Sequence, residues 1–195
     1  MRQVRDFVQP PAVLRCELCG TTIPEGHLHL VDIAERRIVC ACVRCENSAV
    51  SHEPYRRLPT QWQRLRDFVL TDADWEDLQI PIGLAFIFHS TPSGRPVALY
   101  PGPAGVTESL LKLESWSGLV DRNPILATLA PDVEALLIDR TQGHRDYYRV
   151  PIDRCYALAG LIRKYWRGLS GGSEAWAAIH GFFRHLRQSG DFAHG

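Results

Sequence analysis

A chain of 195 residues, 45% hydrophobic and 23% charged, has a globular composition and enough length for one ordinary domain with a small appendage. Lys plus Arg equals Asp plus Glu at 22 each, so with eight neutral histidines the formal charge is zero and no general field draws nucleic-acid phosphates. No run approaches the roughly eighteen apolar residues of a membrane span, no signal-peptide core opens the chain and no segment recurs at a fixed period. The expectation is a cytoplasmic protein without membrane insertion or nucleic-acid binding.

In chain order, residues 1–15 are a polar lead ending in Pro10-Pro11, which resists helix and favours extended backbone. Five of the six cysteines then fall between positions 16 and 45. In a reducing compartment such clustering points to metal rather than to disulfides. Two Cys-x-x-Cys pairs, Cys16/Cys19 and Cys42/Cys45, are separated by 22 residues. A two-residue gap lets a tight turn aim both thiolates at one ion, and a hairpin between the turns brings the second pair to complete a tetrahedron. Gly20 supports the first turn because Gly tolerates positive φ.

The intervening stretch alternates polar and apolar residues through His27, His29 and Val31, and again through Arg37, Ile38 and Val39, as hairpin strands do. Cys40 is a third candidate for the two positions of the second pair. His27 and His29 share one face of the alternation and are alternative ligands, although hairpin histidines are more often packing residues. Four cysteinyl sulfurs accept zinc or a single iron. No Phe, Tyr or Trp occurs in residues 16–45, which favours zinc, with a rubredoxin-like mononuclear iron as the alternative.

Residues 46–60 lack a clean period and read as a linker, so the division expected is a metal-binding, zinc-ribbon-like module over residues 1–53 and an α+β domain over 54–195. Thr71 followed by Asp72, Asp74, Glu76 and Asp77 predicts a capped helix start, and the carboxylates are explained by the helix dipole without a metal. Residues 83–89 and 95–100 flank the turn Thr91-Pro92-Ser93-Gly94 and predict a hairpin of central strands. Pro101-Gly102-Pro103-Ala104-Gly105 is a turn, since its prolines remove amides that a phosphate loop needs. Residues 107–120, around Leu110, Leu111, Leu113 and Trp116, mix helix and strand signals.

Asn123-Pro124 predicts a short helix, residues 133–140 and 147–150 an antiparallel pair, and Pro151 the start of a helix burying Ile152, Cys155, Ala159 and Ile162. After Ser170-Gly171-Gly172, Ser173 caps a last helix with Trp176, Ile179, Phe183 and Leu186 on one face. The fold expected is α+β: a small N-terminal β module, then an antiparallel sheet packed by C-terminal helices.

Chemistry elsewhere is sparse. Ser90, Thr91 and His89 lack a nucleophile-elbow pattern. The basic run of Arg56, Arg57, Arg64 and Arg66 near Trp62 reads as a solvated face, and Cys155 as packing. An enzyme reading requires a polar pocket over the sheet near His89 and Tyr100.

The segments CELCG, HLHLVD, VCACVRC, PIGLAFIFHS, LYPGPAGVTES, PDVEALLIDR and VPIDRCYALAGLIRKYWRG occur in an order and spacing that resembles an actinobacterial family of unknown function encoded near nickel-iron hydrogenases. The resemblance covers nearly all of residues 14–188 and implies a hydrogenase subunit or maturation factor as protein partner. Together with the cysteine pairs and the lack of a catalytic constellation, it gives the expectation of a non-catalytic, zinc-binding accessory protein. One departure is Glu46-Asn47-Ser48-Ala49-Val50-Ser51, where such proteins continue with an apolar stretch; this predicts a looser junction between module and domain.

Overall fold

The computed structural model describes residues 13–109, 113–168 and 170–189, so the polar lead up to residue 12 and the mixed signals at Leu110 and Leu111 lie outside it. Strands β1 (Leu28–Asp32) and β2 (Arg37–Ala41) form a hairpin, and the helix α1 (Val43–Ala49) follows directly. Strand β3 (Tyr55–Arg57) returns to pair antiparallel with β1, giving a sheet of order β2-β1-β3. The expected linker is thus a helix and an edge strand, and the three-stranded sheet extends past residue 53.

What orders this polar stretch is pairing from outside it. Glu46 is buried and forms an ion pair with Arg57 of β3, whose Nη2 also donates to Asn47 Oδ1 at 3.0 Å. A carboxylate is stable inside only when so paired. Where apolar residues were expected, an ion pair ties α1 to β3, and the junction is not loose.

The larger sheet runs β4-β9-β8-β5-β6-β7, antiparallel throughout. Its strands are β4 (Gln63–Arg64), β5 (Leu84–Ser90), β6 (Arg95–Gly102), β7 (Gly105–Glu108), β8 (Glu134–Asp139) and β9 (Asp146–Pro151). Helix α2 (Asp72–Asp77) precedes β5, and α3 (Leu113–Arg122) with a 3-10 turn (Pro124–Thr128) lies between β7 and β8. Helices α4 (Ile152–Tyr165) and α5 (Gly172–Ser189) close the chain. The last helix begins at Gly172, one residue ahead of Ser173, which therefore sits in its first turn instead of capping it.

Every residue of β8 is buried, as a central strand covered on both faces requires. Phe86, Leu137, Tyr148 and Val150 face α4 and α5, meeting Ile152, Leu158, Ile179 and Phe183. Ala85, Ile87, Leu136 and Ile138 point the other way and are covered by Leu70, Leu78, Leu119 and Leu126. The C-terminal helical pair therefore covers one face as expected, and the segments around α2 and α3 cover the second. Val31 of β1 and Leu58 just past β3 belong to the first of these clusters, so the N-terminal sheet shares the core of the main sheet. No helix among the described residues is long and apolar enough to cross a membrane.

Candidate metal centre

The first cysteine pair lies on a closed turn. Gly20 N–H donates to the Cys16 carbonyl at 2.8 Å, Cys16 N–H to the Thr21 carbonyl at 2.8 Å, and Gly20 adopts φ +77°. A side chain there would be strained, which is why Gly follows Cys19. The second pair opens α1: Cys42 is the N-cap, and its Sγ accepts from Cys45 N–H at 3.4 Å. A sulfur at the N-cap thereby takes up one of the amides that the first turn of a helix leaves free.

These two turns bring the sulfurs of Cys16, Cys19, Cys42 and Cys45 within 4.8 Å of one another. Cys19 Sγ and Cys42 Sγ are 3.8 Å apart. A tetrahedral ion with metal–sulfur bonds of about 2.3 Å places its sulfurs about 3.75 Å apart. The separation is therefore that of ligands sharing an ion, and far from the roughly 2.05 Å of a disulfide. All four thiols are free. The residues present fit a single tetrahedral metal ion.

The thiols are electrostatically unequal. The backbone N–H of Thr21, then its hydroxyl and the thiols of Cys45 and Cys16, pull Cys19 down to about 6, so it is a thiolate at neutral pH. Burial raises Cys16, but N–H groups of Cys42, Leu18 and Cys19 outweigh it and lower the thiol. Cys45, donating to Cys19 and Cys42, is pushed up to about 12. Four sulfurs this close cannot all carry charge without a cation among them.

Glu17, between Cys16 and Cys19, is a positioning residue that the spacing argument passed over. Its backbone N–H donates to the Cys40 carbonyl at 2.9 Å, its Oε1 accepts from Cys40 N–H at 2.9 Å, and its Oε2 accepts from Arg37 at 2.9 Å. The first turn is thereby clamped to β2, two residues ahead of Cys42. An acidic residue inside a Cys-x-x-Cys pair was the available signal.

Cys40 does not join the other four sulfurs. In the hairpin register it lies opposite His29, and with His27 and His29 it forms a separate group whose ligand atoms lie within 4.8 Å of one another. The three alternatives for the tetrahedron are thus gathered on the other face of the hairpin. Asp153, at the start of α4, accepts from His29 Nδ1 at 2.7 Å, a partner 124 residues away that no local pattern reveals.

The remaining candidates have structural roles. Asp72 pairs with Arg140 and, at 2.8 Å, with Arg145, while Asp74 pairs with Arg122 and completes the capping box with Thr71. Thr91 is hydrogen-bonded to Asp132, and Ser90 donates to Ser93 at 3.2 Å. His89 is exposed at the turn end of β5, while Tyr100 packs half-buried at the far end of the same strand pair. In the basic run, Arg57 is paired with Glu46 and Arg64 with Asp146, and Arg154 stacks 4.7 Å over Trp62. Cys155 is fully buried, and burial holds its thiol well above the usual range.

Beside the four sulfurs runs a cleft of about 800 Å³ bounded by Cys19, Cys42, Cys45, Ile23, Leu28 and His27. Leu18 and Val43, adjacent to the cysteines, are exposed. No curated protein and no solved structure matches the chain. A family model does, over residues 15–190: that of the family of unknown function DUF5947.

Proposed function

The chain belongs to DUF5947, a family without an assigned activity, and from that premise we propose that it is a non-catalytic, zinc-binding accessory protein that acts by contact with a protein partner. The observation that carries the reading is the cluster of the Cys16, Cys19, Cys42 and Cys45 sulfurs, with its 3.8 Å separation between Cys19 and Cys42. Four cysteinyl ligands fill a tetrahedral ion and leave no position for substrate, which is the chemistry of a structural site. Such an ion would fasten the Cys16 turn to the start of α1, in a segment whose own cluster of Leu30, Val39 and Ala41 is small.

Exposed Leu18 and Val43, and the apolar cleft at their side, support a contact role for this end of the molecule. The partner we propose is a nickel-iron hydrogenase subunit or maturation factor. Its support is the sequence resemblance, and a pulldown with such subunits that retains nothing removes that part of the proposal.

The metal reading is tested by elemental analysis and visible absorption of tag-free full chain, purified without added metal. We expect zinc without colour, and loss of one equivalent per chain in the double variant Cys19→Ser/Cys45→Ser. Iron with thiolate charge-transfer bands would replace the structural role with one-electron transfer at the same four sulfurs. Unchanged metal content in the double variant would overturn the site.

A further inference from the structure

Two faces of one hairpin carry different chemistry. Along β1, Leu28 and Leu30 point to one side with Ala41 and Val39 opposite them, and His29 and Val31 point to the other with Cys40 and Ile38 opposite. Alternation places His27 with His29. The second side faces α4, where Asp153 meets His29.

The hydrogen bonds of the two imidazoles determine which nitrogens carry protons. His27 Nδ1 lies 2.9 Å from the Pro24 carbonyl oxygen, which only accepts, so Nδ1 is the donor. His29 Nδ1 lies 2.7 Å from the Asp153 carboxylate, which likewise accepts. With Nδ1 the donor, Nε2 of a neutral ring is a bare lone pair, yet the two Nε2 atoms are 3.1 Å apart. Two lone pairs at that distance repel unless a cation lies between them. Two nitrogens bound at about 2.0–2.1 Å to one tetrahedral ion are about 3.3 Å apart, close to the separation found. Cys40 Sγ completes a triangle with them, all three ligand atoms within 4.8 Å.

We propose that His27 Nε2, His29 Nε2 and Cys40 Sγ form a second metal site, distinct from the four-cysteine site, for a borderline divalent ion of the zinc class. Two imidazoles and one thiolate suit such an ion, and three protein ligands are the number found in open sites, with the fourth position left for an exchangeable ligand, water in the isolated protein. Asp153 acts as the outer carboxylate that fixes the tautomer and ring orientation of His29. Of the three ligands, His27 also lines the cleft beside the four-cysteine site. The inference stands whether or not the four sulfurs hold zinc, because it rests on none of them.

Native mass spectrometry of the full chain titrated with cobalt(II) or zinc tests it, with cobalt absorption separating a four-thiolate ion from one with a single thiolate. Wild type is expected to take up two equivalents. His29→Gln/Cys40→Ser is expected to take up one, with the four-thiolate spectrum intact, and Cys19→Ser/Cys45→Ser to keep one ion of the single-thiolate type. Asp153→Asn, which leaves every ligand in place, is expected to weaken the second equivalent by about 10–100-fold and leave the first unchanged. A wild type that binds only one ion, as it would if a proton bridged the two rings, overturns the proposal. So does a second equivalent that survives His29→Gln/Cys40→Ser, and an Asp153→Asn protein with unchanged affinities removes Asp153 from the site. Far-UV circular dichroism of each variant separates ligand loss from failure to fold.

Discussion

Gly83 lies just ahead of β5, where the chain passes so close to the end of β8 that a Cβ would stand 2.9 Å from the Arg140 carbonyl carbon and oxygen and the Thr141 nitrogen. All three are backbone atoms, and Arg140 N–H donates to the Gly83 carbonyl at 2.7 Å, so neither strand can yield without losing pairing. Gly83→Ala should lower stability by about 1–3 kcal/mol, read as a lower urea midpoint at unchanged slope. Gly26→Ala is the control: nothing lies within 4 Å of its added carbon, and the expected change is within about 0.5 kcal/mol. The sequence places Gly83 only at the start of a predicted strand and gives no sign of its tight fit, because the contact comes from the end of β8, more than fifty residues away. The same holds for Glu17 and Asp153, whose roles depend on partners across the fold, whereas the four cysteines announced themselves by spacing alone.

Helix α2 is short, and its start does most of the work of holding it. Thr71 Oγ1 accepts from Asp74 N–H at 3.1 Å, and Asp74 Oδ2 accepts from Thr71 N–H at 2.9 Å. Burial raises the Asp74 carboxyl, but the Thr71 bonds and Arg122 outweigh it, so its pKa lies below the ordinary value. A depressed carboxylate contributes stability that is fully present above its unfolded pKa and is lost as pH falls through the folded one. Asp74→Asn should therefore destabilise by about 1 kcal/mol at pH 7, and the difference from wild type should shrink below about pH 4, in paired denaturation curves. A difference that persists in acid would assign the effect to shape and not to charge.

Elements with a strong period were legible: the pairs β5–β6 and β8–β9 follow from apolar runs flanking turn residues, and α4 and α5 from apolar positions at three-and-four spacing. Helix α1 was not, because its order comes from the Cys42 cap and from Arg57 rather than from an apolar face. β3 and β4 are too short to carry a period. The histidine pair was visible as one face, but its match to Cys40 depends on hairpin register, which is set by the turn at residues 33–36 with Arg36 at φ +50°.

At the scale of the molecule, the N-terminal sheet and the main sheet are joined by more than chain. Val31 and Leu58 pack in the cluster of Phe86, Leu137, Ile152 and Phe183, and Arg36 donates to Ser93 at 2.7 Å. Stability at the metal end should therefore be felt throughout. All five tryptophans follow residue 61, so their fluorescence reports the main sheet and its helices alone. Stripping metal with a chelator should lower the thermal midpoint seen by tryptophan by roughly 10 °C, the effect of an ion bound at about a thousand times its dissociation constant. A tryptophan transition that ignores the chelator would show that the two sheets unfold independently despite their shared cluster.

Synthesis gives this arrangement a direction in time. His29 leaves the ribosome 124 residues ahead of Asp153, the carboxylate that meets it. At about 5–20 residues per second, that is a wait of roughly 6–25 s. Throughout it the inner face of the β1–β2 hairpin, with its histidines and Cys40, has no helix to lie against. The cysteine turns, complete by residue 45, can be made locally at once, whereas the face that α4 covers stays open until the chain has been made past Ile152. The hairpin made before the main sheet is thus covered only after it.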